Sequence, residues 1–112
     1  GSLTLYVNGV SVMSQSGIGF NSTSNRSLDI AYSAAQGNNY FNGRMSNFRI
    51  VSGTALYIGS TITVPTAVLP KISGTQLLLN TTNDANFLKD SSDNNFTITN
   101  NGSVVSSSFN PF

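Results

Sequence analysis

The side chains able to do acid–base or metal chemistry are four aspartates, Asp29, Asp84, Asp90 and Asp93, because glutamate, histidine and cysteine are absent. Cleaving a glycosidic bond needs two carboxyl groups held roughly 5 to 9.5 Å apart across it. Asp29 falls in a strand-like stretch, opposite its apolar face, and the other three fall in one loop region. No pair alternates along a strand in the way such a site requires. Without histidine or cysteine there is no nucleophilic triad and no thiol chemistry, and the many serines have no base to activate them. The inventory predicts a protein that binds or builds and does not catalyse, with no cofactor required.

Three kinds of binding remain open to these residues. Asp84, Asp90, Asp93 and Asn94 offer carboxylate and amide oxygens of the kind calcium takes, while the same spacing suits Asx turns, in which Asp and Asn side chains cap their own backbone. The EF-hand spacing is missing, and its bidentate glutamate is impossible here. Asn38, Asn39, Tyr40 and Asn42 combine amides with an aromatic ring, the pairing a sugar site uses for hydroxyls and ring face; Tyr40 and Phe41 equally suit core or subunit contacts at the start of a strand. Phe109, Pro111 and Phe112 form an apolar tail that should pack on its own sheets or on a neighbouring subunit. Arg44 and Arg49 are expected to be solvated or paired with Asp. Five Asn-x-Ser/Thr sequons, at Asn21, Asn25, Asn80, Asn95 and Asn101, arise from a chain rich in those residues.

The elements that must carry these groups read as strands. Leu3 to Val7 alternates and runs into Asn8-Gly9, the strongest short hairpin signal because both residues tolerate positive φ; Val10 to Met13 is the return strand. Ser14 to Ser27 reads as loop. Leu28, Ile30 and Tyr32 share a face at period two, and Ser33 to Asn39 is a polar turn. Tyr40 to Val51 is the longest candidate, a central strand kinked at Asn42-Gly43. Ala55-Leu56-Tyr57 suits a short helical turn, and Pro65 and Pro70 bracket a segment that cannot be an inner strand. Leu77-Leu78-Leu79 reads as a strand covered on both faces. Phe96 to Thr99 alternates, and Asn101-Gly102 turns the chain into Val104-Val105. Strands at this spacing predict an all-β, antiparallel β-sandwich.

Composition agrees with that class. The 112 residues suit one domain, residues 1–112, and the charged fraction of 8% lies far below the roughly 25% of ordinary soluble proteins. Ser, Thr, Asn and Gly therefore supply the surface polarity, and strong helix formers are scarce. A net charge of +1, with basic residues scattered, carries no footprint for nucleic acid or an anionic membrane. No apolar run reaches the roughly 18 residues that span a bilayer. No targeting signal is visible, and a start at Gly1 is expected of a processed chain or an excised fragment.

The stretch Tyr40-Phe41-Asn42-Gly43-Arg44-Met45-Ser46-Asn47-Phe48-Arg49-Ile50-Val51-Ser52-Gly53-Thr54-Ala55-Leu56-Tyr57 resembles the F-x-G-x-[IM]-S-N-F-R-I-V-x-G-T-A-L-Y segment of LamG-like, concanavalin A-like domains in bacteriophage structural proteins. Leu5-Tyr6-Val7-Asn8-Gly9 is similar to the same family's L-Y-V-N-G strand and turn. The runs Ser73 to Leu79, Lys89 to Ile98 and Ser108 to Phe112 are similar to the continuation of that segment in those proteins. The resemblance implies a concanavalin A-like jelly roll, in which residues 1–71 correspond to strands of the family's C-terminal half and residues 72–112 to later strands and the apolar tail. Strands that usually precede L-Y-V-N-G have no counterpart, so the expectation is a partial or circularly rearranged sandwich with an open edge. It further implies a virion protein of a tail fibre, baseplate or capsid decoration. Its partners would be other virion proteins or identical subunits, together with host-surface glycans, and neither nucleic acid nor membrane.

Overall fold

A computed structural model describes residues 1–19, 27–33, 37, 39–81, 84–109 and 111–112. Its described strands form three two-stranded antiparallel sheets. The chain divides into two compact units: Gly1–Phe41 with Leu56–Val64, and Asn42–Ala55 with Pro65–Phe112.

The first unit is built on the hairpin of β1 (Ser2–Val7) and β2 (Val10–Ser16). Asn8 and Gly9 both adopt positive φ, 49° and 81°, the pair of values a two-residue hairpin turn of matching twist requires. Gly9 is obligatory for a second reason: a Cβ there would stand 2.7 Å from the carbonyl oxygen of Ile62. That approach lets Ile62 donate its N–H to the Gly9 carbonyl at 2.8 Å, while Ser11 donates to the Ser60 carbonyl at 2.9 Å. The segment around Thr61 thus runs along the outer edge of β2 and bridges Val10. Tyr6 donates its hydroxyl to the Gly59 carbonyl at 2.8 Å and fixes the same segment from the sheet face. The second pair in this unit, β3 (Tyr32–Ser33) and β4 (Asn39–Tyr40), is short.

The second unit holds β5 (Phe48–Val51) paired with β6 (Thr75–Leu79). Leu77 and Leu78 point to opposite faces of the pair, and both are buried, Leu78 to 1% exposure. Side chains on and beside the two strands also hold a neighbouring loop in place. Asn47, at φ 54° just before β5, accepts the N–H of Leu69 at 3.1 Å, and Asn80, just after β6, donates to the Leu69 carbonyl at 2.8 Å. Arg49 donates to the Pro70 carbonyl at 2.9 Å. The segment before Lys71 is thereby fastened across the sheet by side chains in place of a strand ladder. A single turn of 3-10 helix, Asp84–Asn86, comes after β6.

The all-β character and the antiparallel pairing match the sequence reading; several element boundaries do not. The return strand β2 runs past Met13 to Ser16. The stretch Tyr40 to Val51 is two separate strands, because Asn42-Gly43 and the positive φ of Asn47 interrupt it. Only Tyr32 of the Leu28 to Tyr32 stretch is in a strand, and Leu28 is exposed. Ala55-Leu56-Tyr57 forms no helical turn, and neither Phe96 to Thr99 nor Val104-Val105 enters a ladder. At the last of these, Asn100 closes the turn itself: its amide donates to the Val104 carbonyl at 2.7 Å and accepts the Val104 N–H at 2.9 Å. That side chain satisfies groups a return strand would have used.

Candidate functional site

Asp90 is the most deeply placed charged group among the described residues, 2% exposed. Its Oδ1 accepts the N–H of Leu78 at 3.0 Å and of Ser92 at 2.9 Å; its Oδ2 accepts the N–H of Phe96 at 2.9 Å and lies 2.8 Å from the Ser92 hydroxyl. A carboxylate has about four lone-pair sites, and here each has a donor. Burial alone would raise the Asp90 pKa, but the backbone N–H groups of Ser92, Phe96 and Leu78 and the Ser92 hydroxyl outweigh it and hold the carboxyl below its ordinary range. The group is therefore charged at neutral pH and serves as a cap for three backbone segments.

The other residues weighed for calcium are engaged separately. Asp93 takes Lys71 in an exposed ion pair at 2.6 Å, a type worth about 0–1 kcal/mol. Asn94 donates its side-chain amide to the Gln76 carbonyl at 2.9 Å and its backbone N–H to the Ser92 hydroxyl oxygen at 3.3 Å. Asp84 begins the exposed 3-10 turn. Among the described residues no group of three or more acidic, His or Cys side chains is gathered for a metal, and no buried side-chain polar atom lacks a partner. A cation beside Asp90 would meet the donors that already fill its lone pairs. Of the five sequons, Asn21 and Asn25 lie outside the described residues.

The residues weighed for glycan binding are distributed differently. Asn39 and Tyr40 are exposed in β4; Asn38 lies outside the described residues; Asn42 belongs to the second unit. Tyr40 sits directly opposite Tyr32, with ring centroids 4.9 Å apart and planes tilted by 38°, and Tyr40 remains 65% exposed. Cross-strand aromatic pairs of this kind stabilise a short hairpin, and this one leaves the Tyr40 ring facing solvent. Sequence reasoning overlooks Tyr32 as a site residue, although two tyrosines flanking a polar turn symmetrically carry that signal.

In the apolar tail, Phe109 is exposed, and the Arg44 guanidinium lies 5.2 Å from its ring centroid. Arg44 is exposed, in keeping with a solvated side chain, and its charge lies over an aromatic face; Arg49 is half-buried and donates to the Pro70 carbonyl. Pro111 and Phe112 are exposed as well.

A further apolar surface is one that alternation in the sequence suggests would face a core. The cross-strand register places Leu3, Leu5 and Val7 on the same side of the hairpin as Gln15, Met13 and Val10. All five apolar members are exposed. The opposite side carries Thr4, Tyr6, Ser11 and Ser14, with the Thr4 and Ser14 hydroxyls 3.2 Å apart. Polar groups therefore meet the Ser60 segment, while among the described residues the apolar side stays about half exposed. No family model matches the chain, and neither a curated protein nor a solved structure is significantly similar to it.

Proposed function

We propose that this chain is a non-enzymatic structural and adhesion module of a bacteriophage particle, working through protein contacts in a tail fibre, baseplate or capsid decoration. Its finer fold in this reading is a concanavalin A-like sandwich, partial or circularly rearranged, completed by other virion proteins or identical subunits. The observation that carries the reading is the exposed apolar side of the first hairpin: Leu3, Leu5, Val7, Val10 and Met13 in one contiguous row. Burying such side chains is worth about 1.5–3 kcal/mol each, so a row of them left in water is a surface built to be covered. Support from sequence comes from the Tyr40 to Tyr57 segment and its likeness to phage LamG-like domains.

The test replaces two members of the row together, Leu5→Ser and Met13→Ser, and follows incorporation into assembled particles. Because both positions are already exposed, folding stability should change by no more than about 0.5 kcal/mol each, while incorporation should fall by an order of magnitude. Incorporation at the unaltered level would refute the contact reading.

A second reading, lectin-like recognition of host-surface glycans, is favoured by the exposed Tyr40 ring packed on Tyr32, with Asn39 beside it. Many copies on one particle would raise avidity from weak single sites. Loss of binding to host envelope polysaccharide in Tyr40→Ala, with assembly intact, supports it; silence on a glycan array removes it.

A further inference from the structure

The β5–β6 ladder treats its two outer edges differently. On the β6 side, Leu78 turns its N–H to Asp90 and its carbonyl to the N–H of Ser91 at 2.8 Å, and the Gln76 carbonyl takes the Asn94 amide. That edge is closed by side chains and loop. Arg49 stands opposite Leu78 in the register. In an antiparallel pair, when one residue of an opposed couple turns its N–H and C=O outward, its partner does too. The backbone polar groups of Arg49 therefore face away from β6, and among the described residues nothing plugs them as Asp90 plugs Leu78. β5, Phe-Arg-Ile-Val, has no proline, and its one charged side chain, Arg49, is held by the Pro70 carbonyl.

The same unit contains a strand sequence without a ladder. Phe96-Thr97-Ile98-Thr99 alternates aromatic or β-branched apolar residues with threonine, a composition that favours strands. No strand is formed there, and Phe96 is 56% exposed. Its first N–H is anchored to Asp90 Oδ2. The segment matches β5 in length, and Phe96 and Ile98 repeat the spacing of Phe48 and Ile50, so one face of the added strand would continue the apolar face of β5. Pairing β5 with β5 of another copy would bring Arg49 near its twin, which like-charge repulsion disfavours. The Phe96 segment sets only threonines beside Arg49.

We infer that the open edge of β5 accepts the Phe96–Thr99 segment of a second copy of this chain, so that the protein self-associates by strand addition. The inference rests on the contact reading above and names the partner. Acceptor edge and donor segment are different surfaces, so the contact is heterologous and builds rings or fibres unless two copies exchange segments reciprocally.

Sedimentation velocity of the full chain over a concentration series tests it, with Thr97→Pro as the variant. Proline removes a ladder donor from the segment at a position that is exposed and outside any strand. The unaltered chain should shift to larger species as concentration rises, and Thr97→Pro should remain monomeric with the same circular dichroism and urea midpoint. A synthetic peptide spanning residues 95–100 in excess should dissolve the larger species. A chain that stays monomeric at every concentration overturns the inference, as does Thr97→Pro associating like the unaltered chain. Incorporation into particles without self-association would remove this inference and leave the contact reading standing; self-association with absence from particles would do the reverse.

Discussion

Asp90 stands beside Leu78 where a neighbouring strand would stand, accepting the Leu78 N–H at 3.0 Å with a carboxylate in place of a strand carbonyl. The same carboxylate holds Ser92 and Phe96, so one side chain fixes the β6 edge, the turn after it and the start of the next segment. Asp90→Asn keeps the shape but replaces one oxygen by a donor that confronts other donors. Each hydrogen bond to a charged group is worth about 1.5–3 kcal/mol, and leaving buried donors orphaned adds to the loss. We expect Asp90→Asn to lower unfolding stability by about 3 kcal/mol, read from urea midpoints at constant slope.

The lowered Asp90 pKa fixes the sign of a pH effect. Its folded value lies below its unfolded one, so its stabilisation is fully present above the unfolded carboxylate pKa and is lost as pH falls through the folded value. Urea midpoints from about pH 7 down to about pH 2 should decline in the unaltered chain, and the gap to Asp90→Asn should close over the acid end. A gap that stays constant in acid would show that Asp90 is not the charged cap described.

Asn47 and Asn80 grip the two polar groups of one residue, Leu69. Replacing either by alanine should cost about 1 kcal/mol for its hydrogen bond to Leu69, with an added penalty at Asn47, which also donates to the Ala67 carbonyl at 3.3 Å and whose φ of 54° suits Asn or Gly. Because both act on one backbone unit, the double variant should lose less than the sum of the singles. A double-mutant cycle measures that coupling, and strict additivity would show that the two bonds act independently.

Gly74 is at φ 81°, and a Cβ there would run into the Ser52 carbonyl. The same close approach allows Ser52 to donate its N–H to the Gly74 carbonyl at 2.9 Å. Gly74→Ala should therefore destabilise by more than the roughly 1 kcal/mol of left-handed strain alone, whereas Gly53→Ala, with open space around it but similar φ, should show the strain only. Equal losses at the two positions in thermal unfolding would contradict the packing assigned to Gly74.

What the sequence made legible was local. Asn8-Gly9 located the first turn, because two adjacent positive φ values have few other solutions, and the Leu77-Leu78-Leu79 run located the most buried strand. Phe96 to Thr99 and Val104-Val105 carried the same local signal yet joined no ladder, since strand propensity does not say whether a partner edge is within reach. Asp90 was visible as a loop carboxylate beside Asp93 and Asn94, but its burial depends on β6 meeting residues twelve positions away. Alternation in Leu3 to Val7 showed that the hairpin has an apolar side; whether that side meets this chain's own core or another surface is a tertiary matter.

Quantitative mass spectrometry of purified particles, joined to immunogold electron microscopy with an antibody against this chain, tests the central claim most directly. The account predicts many copies per particle at one repeated location, resistant to washing. Absence from washed particles, with the chain recovered only from the host-cell fraction, would contradict it.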